Sequence, residues 1–155
     1  MIDIFTDGAS SGNPGPGGYG AILRKGQHYK EISEGFRKTT NNRMELLAVI
    51  VALESIKLPN QEVMIHSDSK YIIDAVEKRW LYSWIKKGFV GKKNQDLWLR
   101  FYSVYKQHQV KFTWVKGHAG HIENERCDEL AVQASKDKSN WKIDTVFEME
   151  QAKLL

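Results

Sequence analysis

Four carboxylates stand at the edges of segments that otherwise read as buried. Asp7 ends the apolar run Ile2-Asp3-Ile4-Phe5-Thr6, Glu45 opens a strongly apolar stretch, Asp68 follows Val63-Met64-Ile65-His66-Ser67, and Asp128 flanks the apolar side Cys127, Leu130, Ala131 and Ala134. A buried carboxylate is costly unless a positive group holds it. Four of them converging would repel one another until a hard cation neutralised them. Mg2+ prefers oxygen ligands, keeps several waters and commonly joins carboxylates to a substrate phosphate. Two such ions about 3.5–4 Å apart can activate a water and stabilise the leaving oxygen of a phosphodiester.

Each carboxylate also has a plainer reading. Asp7 can be a turn aspartate bonded to its own backbone. Asn42-Arg43-Met44-Glu45 has the spacing of a capping box, with Asn42 as the cap. Asp68 can cap a helix starting at Ser69, and Asp128 can be an exposed flank like Glu123, Glu125 and Glu129. One at a time these readings win. Together they weaken, because carboxylates at the ends of adjacent strands lie about 5 Å apart and a packed helix can add another.

Two histidines lie in Lys116-Gly117-His118-Ala119-Gly120-His121. With Cys127 they suggest zinc, but a fourth ligand and the closed spacing of a structural site are missing. A loop histidine that shuttles protons near neutral pH is the better reading, and His118, between glycine and alanine, is the better placed. Gly15, Gly17 and Gly20 match G-x-G-x-x-G, yet they open a strand and not a helix, so they are no pyrophosphate cradle. Gly12 to Gly18 reads as a tight reversal that brings Asn13 close to a large ligand.

These groups must be carried by a mixed α/β architecture. Residues 2 to 37 hold two or three antiparallel strands, among them 2–6 and 19–23. A helix over 42–56 is apolar on most sides and must be covered. A short strand at 63–66, a helix at 69–78, a helix at 94–106, a strand at 110–115 and a helix at 122–135 follow, giving a sheet with helices packed on it. Residues 137–155 show no clear period and receive no role.

A chain of 155 residues, 41% apolar and 27% charged, fits one domain spanning residues 1–155. The single cysteine excludes an internal disulfide, and the N-terminus enters a strand without a basic and apolar leader, so a cytoplasmic protein is expected. The apolar stretch Leu46 to Leu53 is far below the roughly 20 residues that span a bilayer, so no membrane role is expected. The net charge of +4 is clustered: Lys78 to Gln95 contains six basic residues, four aromatic ones and no acid. Interleaved cations and rings suit phosphates with stacked bases or sugars, although an amphipathic helix with its rings in the core would look the same.

The motifs Phe5-Thr6-Asp7-Gly8, Gly12-Asn13-Pro14-Gly15-Pro16-Gly17-Gly18-Tyr19-Gly20, Thr39-Thr40-Asn41-Asn42-Arg43-Met44-Glu45, Ser67-Asp68-Ser69 and Trp114 to His121 continuing through Asn124-Glu125-Arg126-Cys127-Asp128-Glu129-Leu130-Ala131 resemble those of bacterial type 1 ribonuclease H, over about residues 2 to 135 and in the family's order. The resemblance implies a ribonuclease H-like fold, an α/β fold with a five-stranded mixed sheet flanked by helices. It implies endonucleolytic cleavage of the RNA strand of an RNA–DNA hybrid, leaving 5′-phosphate and 3′-hydroxyl ends. Two Mg2+ ions would be held with substrate bound, with Mn2+ as a substitute. Asp7 would bridge the ions, Glu45 and Asp68 would hold the one at the leaving group, and Asp7 with Asp128 the one at the water; His118 would be the loop histidine.

By the same resemblance Asn13, Asn41 and Asn42 bind the hybrid, and Lys38, Thr40 and Asn94 contact phosphates of the DNA strand. Gly8 and the three asparagines could read 2′-hydroxyls across a shallow minor groove. The region from Trp80 through Trp84, Lys86 and Lys87 to Trp98 would lie along the DNA strand. It resembles the family's basic protrusion but is shorter between Gly88 and Asn94, which predicts a raised KM more than a lowered kcat. A monomer is expected. A non-catalytic hybrid-binding module and a DNA-cutting nuclease or integrase of the same fold are the rival readings.

Overall fold

The structure is a computed structural model and describes residues 1–116 and 121–153. It contains a five-stranded sheet of order β3-β2-β1-β4-β5. Strands β1 (Ile2–Ser10), β2 (Gly15–Lys25) and β3 (His28–Thr39) form an antiparallel meander. Strands β4 (Glu62–Ser67) and β5 (Gln109–Trp114) add in parallel on the other side of β1. The strands at the N-terminus are longer than the sequence suggests. Asp7 lies inside β1, opposite Gly20, and the glycines from 15 to 20 belong to β2, so the reversal falls on residues 11–14.

Helix α1 (Asn41–Glu54) is buried from Arg43 to Leu53 except at Val51. It packs on β1 and β2 and is covered by α4 (Gln95–Tyr105). Residues α2 (Lys70–Glu77) and α3 (Trp80–Lys86) lead from β4 to α4. On the opposite face, α5 (Ile122–Lys136) crosses β1, β2 and β3. The alternation of β2 separates the two cores: Tyr19 and Ala21 join the α1 side, while Ile22 packs with Phe5, Cys127 and Leu130 under α5.

Both helices come unusually close to the sheet. A Cβ at Gly8 would lie 2.5 Å from the Glu45 nitrogen, and one at Gly20 would lie 2.4 Å from the Cys127 carbonyl oxygen. Gly18 and Gly35 meet the α5 backbone in the same way, at Ala131 and Ala134. Their absent side chains are a packing requirement, which explains a glycine density the sequence presents as turn signal.

The C-terminal segment is an integral part of this assembly. Lys142 pairs with β3 through its amide to Gly35 and its carbonyl to Arg37, and the Trp141 indole donates to the Ser135 carbonyl. Asp144 is buried against Arg43 and Thr39, and helix α6 (Thr145–Lys153) carries Glu148, which grips Arg37 with both oxygens.

Substituting Gly20→Ala should destabilise the fold by about 1–3 kcal/mol, because backbone and not a flexible side chain occupies the space. Urea denaturation would measure the loss; a midpoint unchanged from wild type would refute the close packing.

Candidate active site

Three of the four sequence-predicted carboxylates meet. One oxygen each from Asp7, Glu45 and Asp68 lies within 4.8 Å of the others. Asp7 comes from β1, Asp68 from the residue following β4, which runs parallel to β1, and Glu45 from the second turn of α1. Gly8 sets the third arm, since any side chain there would push the Glu45 backbone away.

Both capping alternatives are set aside by the local geometry. The cap of α1 is Thr40, whose hydroxyl accepts from the Arg43 amide at 3.3 Å; Asn42 lies inside the helix and Glu45 is not its capping partner. The cap of α2 is Ser69, whose hydroxyl accepts from the Ile72 amide. Asp7 does accept from the Gly8 amide at 2.9 Å, but within a strand.

Two of the three carboxylates are buried. Asp7 is 3% exposed and Glu45 6% exposed, and Glu45 Oε2 is buried without a hydrogen-bond donor among the described residues. Burial, followed by the charges of Asp7 and Asp68, pushes the Glu45 carboxyl well above its usual range. A site of hard oxygen donors with an orphaned buried oxygen fits a divalent cation, which would supply the missing charge.

Asp128 is exposed on α5 and does not join the three-carboxylate cluster. Its neighbourhood is nonetheless that of the site. The preceding Cys127 donates its thiol to the Phe5 carbonyl, and its own carbonyl abuts Gly20, the cross-strand partner of Asp7. One turn earlier, the Asn124 amide donates to the His66 carbonyl, two residues before Asp68. His118 lies outside the described residues. The zinc alternative finds no support among the described residues: Cys127 is buried with its sulfur bonded to backbone, and His121 is exposed.

A groove of about 440 Å³ is lined by Asn42 of α1, Lys70, Tyr71 and Asp74 of α2, Trp80 and Trp84 of α3, and the segment Gly91 to Asn94. Trp80 is half exposed and Lys86 and Lys87 are exposed, as a nucleic-acid surface requires. Trp98 is a correction. It is fully buried, its indole donating to the Tyr71 hydroxyl at 2.8 Å, because α4 turns that side toward the core. Asn13 Oδ1 accepts from the Asn41 amide, which joins the β1–β2 reversal to the start of α1, while Lys38, Asn41 and Asn42 are exposed nearby. Lys70 and Tyr71 were not anticipated; Tyr71 reads in the sequence as one more apolar helix position.

The RNase H family model matches residues 1–136. The chain belongs to the ribonuclease H family. It is 54% identical over 140 residues to a ribonuclease H of Desulforamulus reducens, covering 87% of each chain, and 53% identical over 140 residues to one of Klebsiella pneumoniae, covering 87% of this chain and 89% of that one. These relatives place it with the bacterial type 1 ribonucleases H, and it is an enzyme of that kind. Among solved structures it resembles LC9-RNase H1, a type 1 RNase H with the type 2 active-site motif, with TM-score 0.74 and 33% identity over 86% of this chain and 71% of that one. It also resembles LC11-RNase H1, solved in complex with an RNA/DNA hybrid, with TM-score 0.65 and 28% identity over 90% of this chain and 99% of that one. Ribonucleases H depend on divalent metal, and the acidic triad is present here.

In metal-free buffer Glu45→Gln should raise the melting temperature by a few degrees. The sign follows from the raised carboxyl: above its ordinary range the unfolded chain releases the Glu45 proton more readily than the folded one, so wild-type stability falls as pH rises there. The advantage of Glu45→Gln should therefore be larger at pH 8 than at pH 5, and Mg2+ should stabilise only the wild type. Calorimetry with and without chelator would check this; an advantage independent of pH would contradict it.

Proposed function

We propose that this ribonuclease H cleaves the RNA strand of RNA–DNA hybrids with two Mg2+ ions, held by Asp7, Glu45 and Asp68 with Asp128 as the fourth ligand. The observation that carries this reading is the juxtaposition of three carboxylates, two of them buried; a groove lined by lysines and tryptophans, with Asp74 among them, supports it. When bound, the ions supply the positive charge that lowers the pKa of a water and stabilises charge on the leaving oxygen.

The chain's own residues place the substrate. The start of α1 offers the exposed side-chain amides of Asn41 and Asn42 to the hybrid, and the positive end of the helix favours phosphate. Asn13 braces that turn through its bond to the Asn41 amide. Amide side chains here suit the 2′-hydroxyls that distinguish the strand to be cut. On the other side Lys86, Lys87, Lys92 and Lys93 neutralise phosphates of the DNA strand, and Trp80 and Trp84 offer rings to its sugars. Because these contacts address sugars and phosphates, sequence preference should be weak. His118 is proposed to shuttle a proton near neutral pH; His118→Ala should slow turnover without abolishing it.

An end-labelled RNA strand paired with DNA should be cut in Mg2+, while single-stranded RNA, duplex RNA and duplex DNA remain intact. Asp7→Asn or Asp68→Asn should lower kcat by at least about a thousandfold and leave hybrid affinity within a few-fold. Affinity should fall steeply between about 50 and 200 mM salt, since several phosphates are neutralised by lysines. Cutting of duplex DNA would favour a DNA nuclease, and salt-sensitive binding without cleavage would favour a binding module.

A further inference from the structure

The C-terminal segment reaches the hybrid groove through one buried arginine. Arg43 is 2% exposed, and all five of its N–H groups are used. Nε and Nη2 donate to Asp144 at 2.7 and 2.9 Å, Nη2 and Nη1 donate to Asp96 at 2.7 and 2.9 Å, and the remaining Nη1 proton goes to Asn94 Oδ1 at 3.3 Å. One carboxylate would neutralise the guanidinium. Two of them, on adjacent edges, also fix its plane, and the only direction left points at Asn94.

Asn94 lines the groove and starts α4 in a left-handed conformation, φ 66°, without capping its own helix. Its side chain is committed elsewhere. Because arginine can only donate, the Asn94 oxygen must face Arg43, and the amide nitrogen takes the other edge. There one N–H donates to the Tyr71 hydroxyl at 3.0 Å, which also receives the Trp98 indole N–H. The second N–H remains for the groove, beside Lys92 and Lys93. Asp144 accepts in addition from the Thr39 hydroxyl at 2.8 Å, immediately before the Thr40 cap of α1. One side chain beyond residue 136, where the family match ends, thus braces both Asn94 and the start of α1.

We propose that Asp144, acting through Arg43, is a positioning residue for the groove: it orients the Asn94 amide so that an N–H donor, and not the carbonyl, meets the phosphates of the DNA strand. This rests on the hybrid-cleavage reading given above. Tyr71 is the second support of the same amide.

Steady-state cleavage of a hybrid in Mg2+ tests it with Asp144→Asn, Asn94→Ala, their combination and Tyr71→Phe. Asp144→Asn should raise KM about five- to tenfold, the order of one lost ordinary hydrogen bond, as expected where the Asn94 amide is disoriented and not removed, with kcat within about twofold of wild type. In the Asn94→Ala background the same change should add nothing to KM, because the group being oriented is gone. Tyr71→Phe leaves the ion pairs intact and should raise KM in the same direction, which provides a reading even where Asp144→Asn folds poorly. KM effects that multiply in the combined variant, or a KM unmoved by Tyr71→Phe, would overturn the positioning role. Failure of the wild type to cut hybrid would instead sink the functional reading.

Discussion

The active site depends on how closely two helices press onto the sheet. At Gly8 the backbone of α1 occupies the space of a side chain, and at Gly18, Gly20 and Gly35 the backbone of α5 does the same. The first approach delivers Glu45 to Asp7 within β1 and to Asp68 just past the end of β4. The second, from the opposite face, brings the Asn124 amide to the His66 carbonyl and the Cys127 backbone against Gly20, the partner of Asp7. A methyl group at any of these positions would lift a helix by a large part of an ångström, and a carboxylate set meant to share a metal tolerates little of that. Packing against bare backbone is thus the means by which a constellation drawn from separate elements is held.

Charge is divided between two carboxylate groups that meet opposite fates. Asp96 and Asp144 surround Arg43, and the arginine holds the Asp96 carboxyl below its ordinary range despite burial. Two residues along the helix, Glu45 meets the opposite influence: burial and the negative charges of Asp7 and Asp68 push it the other way. One carboxyl is thus held charged by an arginine, while the other is driven toward its neutral form. A group left uncompensated inside an ordered fold costs stability, and its persistence is explained when an ion from solution completes it.

The fold was largely legible because its long elements carry strong periodicity. Helix α1, the β-α-β-α succession and the strand and helix pair at the end all fall within a few residues of expectation. Three of the four carboxylates were legible as a set through their places at element edges, and meet as expected. What escaped depends on partners far away in sequence. Trp98 lies in a basic, aromatic region and looks like a binding residue, but the Tyr71 hydroxyl and the packing of Phe101 and Trp84 make it core. The glycines of β2 imitate a turn because nothing local reveals the helix that crosses them. The C-terminal segment has no period of its own, since its order comes from Arg37, Arg43 and the edge of β3. One signal was available: an arginine inside an otherwise apolar helix requires acidic partners from elsewhere, and few acids outside the predicted site could reach it.

The sheet's mixed topology explains why the carboxylates converge at β1. The parallel ladder of β1 and β4 ends at Phe5 and His66, so Asp7, within β1, and Asp68, just past β4, follow it in the same direction and become neighbours without any turn between them. On its other side β1 is antiparallel to β2, and there the residue opposite Asp7 is Gly20, which contributes no side chain to the site. Open α/β sheets bind ligands beyond the carboxyl ends of their parallel strands. Here that position is strongly acidic while much of the groove lining is basic, so a polyanion would be drawn to the flank and repelled at the centre unless cations were present. On the reading proposed above, metal loading and substrate binding would therefore support each other, because bound cations would relieve the repulsion among the carboxylates that a phosphate must approach.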